Sequence, residues 1–228
     1  MAVYSILAFF VVSITTTLVF SFINPRYTWL MVKNFHSSKP NGDIKTFKQK
    51  WVDIDKISPN MILAAVAAED NRFMVHRGFD WESIRQAWEY NRKGKKIRGA
   101  STISQQTAKN VFLWPERSWV RKGLEAYFTV LIEFFWTKER IMEVYLNVAE
   151  MGKGIYGVEA AAREYYGKPA SHLTRHEAAM IATTLPAPSK RNPARPSSYM
   201  KRYQRRILWN MNNLGEIDLK ETKQKPTR

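Results

Sequence analysis

Residues 64–78 read AAVAAEDNRFMVHRG. A run of small apolar residues ends on two adjacent carboxylates, Glu69 and Asp70, and Phe73, His76 and Gly78 follow at once. The run belongs to a helix that begins in SPNMILAAVAAED, with Ser58 placed as N-cap and Pro59 at the first helical position. This helix reads as core, so the fold turns on why a core helix should finish on two acids. One reading is a solvated helix end, although an acid there sits at the unfavourable end of the macrodipole. The other is a carboxylate held beside apolar packing, where a raised pKa suits acid–base work. Taken alone, the stretch favours the plainer reading, and His76 alone reads as a hydrogen-bonded structural residue.

Outward from that stretch the pattern stays helical. DWESIRQAWEYN predicts a second helix with Asp80 as cap and Trp81, Ile84 and Trp88 on one face. RKGKKIRG (92–99) reads as a basic loop and a candidate mobile element. STISQQTAKNVF predicts a helix opened by Ser101 or Thr102, and RSWVRKGLEAYFTVLIEFFW a long, strongly apolar one. Thr137 caps KERIMEVYLNVAE, and Gly167 can end GVEAAAREYYG. TRHEAAMIATTL opens with a capping box, Thr174 and Glu177, and stops at PAPS. A last amphipathic helix covers about Ser198 to Asn213, with Gly215 beyond it. Strand signals are nearly absent, and the tail KETKQKPTR reads as disordered. The fold class expected is all-α.

Residues 2–23 carry no charge. As a helix they span roughly 33 Å, enough for a hydrocarbon core of about 30 Å, and are expected to form a retained membrane anchor rather than a cleaved signal peptide or a buried helix. No Lys or Arg precedes the segment, while Arg26 and Lys33 follow it. The positive-inside rule read strictly puts the following chain in the cytoplasm, but long domains translocate largely regardless of charge. The chain has 36 Lys+Arg against 20 Asp+Glu, a net charge of +16, which calls for a polyanionic partner: nucleic acid, an anionic membrane face or a phosphate-bearing substrate. The absence of cysteine excludes disulfides, a thiolate nucleophile and cysteine-based zinc sites.

Two further stretches carry polar chemistry. In RGASTISQQTAKN, Ser101, Thr102, Gln105, Gln106, Lys109 and Asn110 form a dense polar face, able to bind sugar hydroxyls and phosphate or simply to be solvated. In ERSWVRKGLE, Arg117, Arg121, Lys122 and Glu125 recur at spacings of three and four, as an anion clamp or an ordinary ion-paired surface. Glu133, Glu143 and Glu150 read as structural supports, and Glu177 as a cap. HExxH, Walker, GxGxxG and GxSxG motifs are absent, and no serine has a convincing base. Two glutamates, polar side chains and a cationic cluster suit transfer of a sugar away from a phosphate leaving group.

EDNRFMVHRG, GASTISQQTAKN, RKGLE and KERIMEVYLNVAEMGKGIYGVEAAAREYYGK stand in the order found in family 51 glycosyltransferases. These are the peptidoglycan glycosyltransferase domains of class A penicillin-binding proteins and their stand-alone relatives. The resemblance covers about residues 45–215 and rests on a highly specific motif set, with mild departures at Ala100, where glycine is common, and Tyr166, where phenylalanine is common. It implies a monofunctional transglycosylase with a lysozyme-like helical fold, a larger lobe and a small membrane-proximal lobe. The implied division is an anchor at 1–24, a connector at 25–44, the glycosyltransferase domain at 45–215 and a basic tail at 216–228, with no room for a transpeptidase domain. The implied activity is polymerisation of lipid II, with inversion, into β-1,4-linked glycan strands and release of undecaprenyl diphosphate.

The resemblance also implies a single-pass protein of the cytoplasmic (inner) membrane with its domain on the outer, periplasmic side, although the basic residues usual before the anchor are missing. By motif, Glu69 is the general base and Glu125 the second carboxylate. Lys109 and Arg117 bind diphosphate, supported by Arg121 and Lys122. Asp70, Phe73, His76 and Gly78 complete the first motif, and Ser101, Thr102, Gln105, Gln106 and Asn110 line the cleft. No cofactor or metal cluster is required by the sequence, although a divalent cation (Mg or Mn) could bridge the diphosphate. Lipid II, the growing glycan strand, membrane lipids and other cell wall synthesis and division proteins are the expected partners, and nucleic acid is not. The rivals are a lysozyme-like glycan hydrolase, which would need a strong general acid but not clustered cations, and a membrane-tethered nucleic-acid binder, for which no recognition motif stands out.

Overall fold

The computed structural model describes residues 1–36, 47–94 and 99–220. Part of the sequence's connector, half of its basic loop and most of its C-terminal tail lie outside the described residues. The chain begins with α1 (Ala2–Phe20), α2 (Trp29–His36), α3 (Pro59–Glu69) and α4 (Trp81–Arg92). It continues through α5 (Ile103–Phe112), α6 (Trp119–Phe135), α7 (Lys138–Val148), α8 (Val158–Tyr166), α9 (Arg175–Ala182) and α10 (Ser198–Leu214). The fold is mostly α-helical, as expected.

The helix starts follow side-chain chemistry already visible in the sequence. Ser58, Asp80, Ser118, Thr137 and Ser197 each accept a backbone N–H from the first turn they precede. Thr102 and Thr174 form full capping boxes with Gln105 and Glu177. α8 ends on Gly167 in the left-handed region.

Two helix groups supply the core. α3 packs on α9 and α10, while α5 packs on α6 and α7. Met61, Ala64, Ala65, Ile181 and Ile207 are fully buried in the first group, and Ile103, Ile132, Ile141 and Leu146 in the second. α4 contributes little to either: Trp81 is 73% and Trp88 58% exposed, so the aromatic face the sequence gives this helix does not point into the core.

A small sheet, which the sequence did not announce, joins β1 (Lys48–Gln49), β3 (Ile155–Tyr156) and β2 (Glu150–Gly152) in that order. β1 runs parallel to β3, with Lys48 opposite Ile155, and β2 runs antiparallel to β3. Strands of two or three residues are too short to show a period of two.

Fully buried Asn147 fixes this corner. Its Oδ1 accepts Val52 N at 2.9 Å, and its Nδ2 donates to Val52 O and Glu143 O, each at 2.8 Å. Gly157, at φ +79°, passes so close that a Cβ there would lie 2.6 Å from Asn147 O. Replacing Asn147 by leucine keeps the approximate volume but strands two buried backbone groups of Val52. Each such loss costs roughly 1–3 kcal/mol. Asn147→Leu should therefore lower unfolding free energy by about 2–4 kcal/mol in urea titrations, and an unchanged midpoint would contradict this account.

Candidate active site

The end of α3 is where the two helix groups meet. Its last carbonyls are met by α10: Tyr203 Oη donates to Ala68 O at 3.2 Å and Asn210 Nδ2 to Ala67 O at 2.9 Å. The next residue, Asp70, turns toward α5. Its Oδ2 accepts Ile103 N, the first amide of α5, at 2.9 Å, and His76 Nε2 lies 2.9 Å from both carboxylate oxygens. A carboxylate at the amino end of α5 is also well placed for that helix's dipole.

The rest of the first motif closes the loop. Phe73 is fully buried, with Lys138 Nζ 4.6 Å above its ring. Thr102 Oγ1 donates to Gly78 O at 2.6 Å. Gly78 has φ +86°, and a Cβ there would come within 2.8 Å of Thr129 Cγ2 on α6. The spacing of Asp70, Phe73, His76 and Gly78 is thus the spacing of a tight turn tied down at each motif position.

Glu69, half-buried, accepts Gln106 Nε2 at 2.7 Å on Oε2. Tyr145, fully buried on α7, donates from its hydroxyl to Gln106 Oε1 at 3.5 Å, so the amide is oriented with its NH2 toward Glu69. Burial pushes the Glu69 carboxyl above its ordinary range and Asp70 adds to the rise, while the Gln106 bond, Lys109 and Arg191 oppose it. On one side Glu69 opens, with Ser101 and Thr102, onto a polar cleft of about 580 Å³ that Glu82 and Gln86 of α4 and Arg206 and Asn210 of α10 also line.

Toward the carboxyl end of α5 the charge changes sign. Lys109 feels both Glu69 and Glu125, as well as Arg121 and Lys122; burial is the main cause that pulls its pKa down, and the two neighbouring cations add to it. Glu125, 3% exposed, is held on α6 by Arg121 Nη1 at 3.4 Å and by Lys122. Arg121 is buried, and its Nε has no hydrogen-bond partner among the described residues. The site therefore runs from a polar cleft, past a carboxylate that resists ionisation, to a crowded cationic cluster.

Glu69, Gln106, Lys109, Arg121, Lys122 and Glu125 are thus linked by hydrogen bonds, ion pairs or electrostatic coupling, while Asn110 lies half-buried on the same α5. Arg117 is exposed in the segment leading into α6. Gln105 is engaged in the α5 capping box, and Asp70, His76 and Thr102 are engaged in holding the turn. Sequence reasoning missed Arg191, Tyr203, Arg206 and Asn210. The last three share one face of α10 by spacing, but nothing local ties that face to Glu69. Among the described residues no group of three or more His, Asp or Glu side chains is arranged to hold a metal.

A half-buried and a buried carboxylate, a cationic cluster and a polar cleft on a helical frame suit an enzyme that moves a sugar between oxygen atoms. The transglycosylase family profile matches residues 37–212. A biosynthetic peptidoglycan transglycosylase of Bacteroides thetaiotaomicron is 50% identical over 225 residues, covering 95% of this chain and 91% of that protein. One from Shewanella oneidensis is 46% identical over 217 residues, covering 95% and 92%, and one from Bdellovibrio bacteriovorus is 50% identical over 206 residues, covering 90% and 82%. The chain belongs to the transglycosylase family and is a glycosyltransferase.

Because the Glu69 pKa is raised on folding, the stability this group allows is fully present below its unfolded pKa and is lost as pH rises through the folded value. Glu69→Gln removes that loss and can still accept the Gln106 bond. The variant should be at least as stable as the parent at neutral pH, and its advantage should vanish in acid. Thermal unfolding at the two pH values reads this directly; a variant less stable only at neutral pH would mean that the ionised carboxylate is stabilising after all.

Proposed function

We propose that this enzyme polymerises lipid II into β-1,4-linked glycan strands, inverting the anomeric carbon and releasing undecaprenyl diphosphate, in peptidoglycan synthesis. The observation that carries the reading is the order along α5: polar cleft, Glu69 on Gln106, then Lys109 beside the Arg121–Lys122–Glu125 cluster. The relatives' own description as biosynthetic peptidoglycan transglycosylases supports the substrate class.

In this mechanism Glu69 removes the proton from the acceptor sugar's 4-hydroxyl. The resulting oxygen nucleophile attacks the donor's anomeric carbon from the face opposite the diphosphate. The bond from carbon to diphosphate oxygen breaks, and that oxygen keeps the electron pair. Inversion needs base and leaving group on opposite sides of the sugar. A carboxylate whose pKa is raised by burial is a stronger base than a solvated one.

The leaving diphosphate needs charge stabilisation more than a proton. Lys109, Arg117, Arg121 and Lys122 supply it. A divalent cation, Mg or Mn, would add charge stabilisation to the leaving diphosphate, although among the described residues no cluster of His, Asp or Glu is arranged to hold one. Glu125 holds Arg121 and Lys122 in place. Ser101, Gln106 and Asn110 face the sugars, whereas Asp70, Phe73, His76, Thr102 and Gln105 act through the frame that fixes Glu69.

We assign the catalytic domain to residues 45–215. α1, long and apolar enough to cross a membrane, serves as a single-pass anchor, with the domain outside the cytoplasmic membrane, where a lipid-linked substrate is at hand. The decisive experiment is incubation of the purified protein with labelled lipid II and sizing of the product. Long glycan strands are expected; cleavage of finished glycan without chain growth would replace this reading with a hydrolase.

Glu69→Gln should lose about 10²–10⁴-fold in single-turnover rate, the usual worth of general-base catalysis. Glu125→Gln should retain more activity, because a good leaving group asks less of it. The acid limb of the rate profile should lie above the ordinary glutamate range and move when Gln106 is replaced by leucine. A Glu69→Gln rate within a few-fold of the parent would mean that another group is the base.

Losing one charge-assisted phosphate contact costs roughly 1.5–3 kcal/mol. Lys109→Ala and Arg117→Ala should each weaken binding of a diphosphate-bearing inhibitor accordingly, measured by calorimetry. Unchanged affinity in both variants would remove the diphosphate assignment.

A further inference from the structure

The carboxyl end of α1 leaves four carbonyls without partners inside the helix, those of Thr17, Leu18, Val19 and Phe20. Two are met locally: Leu18 O accepts Ser21 N at 3.1 Å, and Val19 O accepts Phe22 N at 3.1 Å and Ile23 N at 2.9 Å. The other two are met from the catalytic domain. Trp136 Nε1 donates to Thr17 O at 2.8 Å, and Arg140 donates to Phe20 O from Nε at 3.2 Å and from Nη2 at 3.0 Å. Arg140 Nη2 also reaches Ile23 O at 2.9 Å, and Nη1 bridges Asn24 Oδ1 at 2.8 Å and Glu143 Oε1 at 2.6 Å. Every nitrogen of the guanidinium is engaged, and all but the Glu143 bond go to the end of α1 and the turn after it.

α1 has no basic residue in its last turn. The cation that complements the negative end of its dipole is therefore Arg140, in the first turn of α7. Farther up, Ser13 Oγ lies 2.8 Å from Tyr127 Oη on α6, and Phe9 and Phe10 pack against the Tyr127 ring. Ser13, Thr17 and Phe20 share one helical stripe, while Val3, Leu7, Val11, Ile14 and Leu18 are exposed. Its two buried polar residues, Ser13 and Thr17, thus lie where it meets the domain, while Ser5 and Thr15 are exposed among the apolar residues of the other side.

We infer that Arg140 is a positioning residue that latches the anchor to the catalytic domain, so that α1 and the domain move as one body and the cleft stands at a fixed height and tilt over the membrane. The same α7 carries Tyr145, whose hydroxyl reaches Gln106, the partner of Glu69. One helix thus connects the end of the anchor to the base. A flexible tether would only concentrate the enzyme at the bilayer; a latched anchor also sets how a lipid-held sugar approaches Glu69. This inference rests on the anchor reading in the proposed function.

The test uses the full chain in phospholipid vesicles. Because the protein has no cysteine, Val3→Cys and Lys201→Cys, both at exposed positions, allow one spin-label pair spanning anchor and domain. The parent should give a single narrow distance distribution. Arg140→Met should broaden it at least twofold, and Trp136→Phe, which removes the indole N–H together with part of the ring, should broaden it less. With lipid II in the same bilayer, Arg140→Met should raise KM several-fold with kcat nearly unchanged, and Arg140→Lys should recover part of the difference. A broad distribution in the parent, an equally narrow one in Arg140→Met, or a fall in kcat without a change in KM would overturn the latch. Failure of the parent to float with vesicles would instead sink the anchor reading, and the distance widths measured in detergent would still judge the latch.

Discussion

The carboxylate of Asp70 holds together what the rest of the site needs. It closes α3, accepts the first amide of α5 and fixes His76, all within hydrogen-bonding distance. Two helix groups that share one continuous core are joined at this side chain by hydrogen bonds. Glu69 is its immediate neighbour, so the same turn that joins the groups sets the adjacent carboxylate against Gln106. The paired acids that end a core helix divide the work: Asp70 is structural and buried in bonds, and Glu69 is left with one donor and an open side.

Charge is distributed around this joint at some cost to stability. Burial disfavours ionised Glu69 and protonated Lys109 alike, and Arg121 and Lys122 crowd the same cluster as Lys109. Glu125 offsets part of that repulsion by pairing with both α6 cations. On the proposed function, an incoming diphosphate would neutralise the cluster more fully than the protein does, which is the usual way a site held short of its own stability optimum gains affinity for its ligand.

Much of this was legible because the signals were local. Ser58, Asp80, Thr137 and Thr174 mark helix starts through contacts spanning two or three residues, and the structure uses each of them so. The Thr102–Gln105 box has the same form, yet in sequence Gln105 and Gln106 look alike; the structure gives one to a helix cap and the other to Glu69. What was not legible depended on distant partners. Three strands of two or three residues carry no period, and the α10 side chains that border the cleft lie far from it in sequence. Trp81 and Trp88 look like core by helical spacing, but α4 is an outer wall whose opposite side lines the cleft. Pattern reports that a face exists, and only the packing of other elements decides whether it is covered.

The bonds from α10 to the end of α3 also bear on the order in which the molecule is made. Tyr203 and Ala68 are separated by 135 residues, and Asn210 and Ala67 by 143. A chain emerging from the ribosome holds α3 long before it holds α10, and α1 before either. Contacts of such separation form late, after nearer ones have been made. On the proposed anchoring by α1, the nascent protein would already sit at a membrane, with α5, α6 and α7 packed, while the turn bearing Glu69 still lacks its last supports. Glu69, the base of the proposed mechanism, would be among the last parts to be fixed, because a chain interrupted before residue 203 lacks both bonds from α10 to the end of α3.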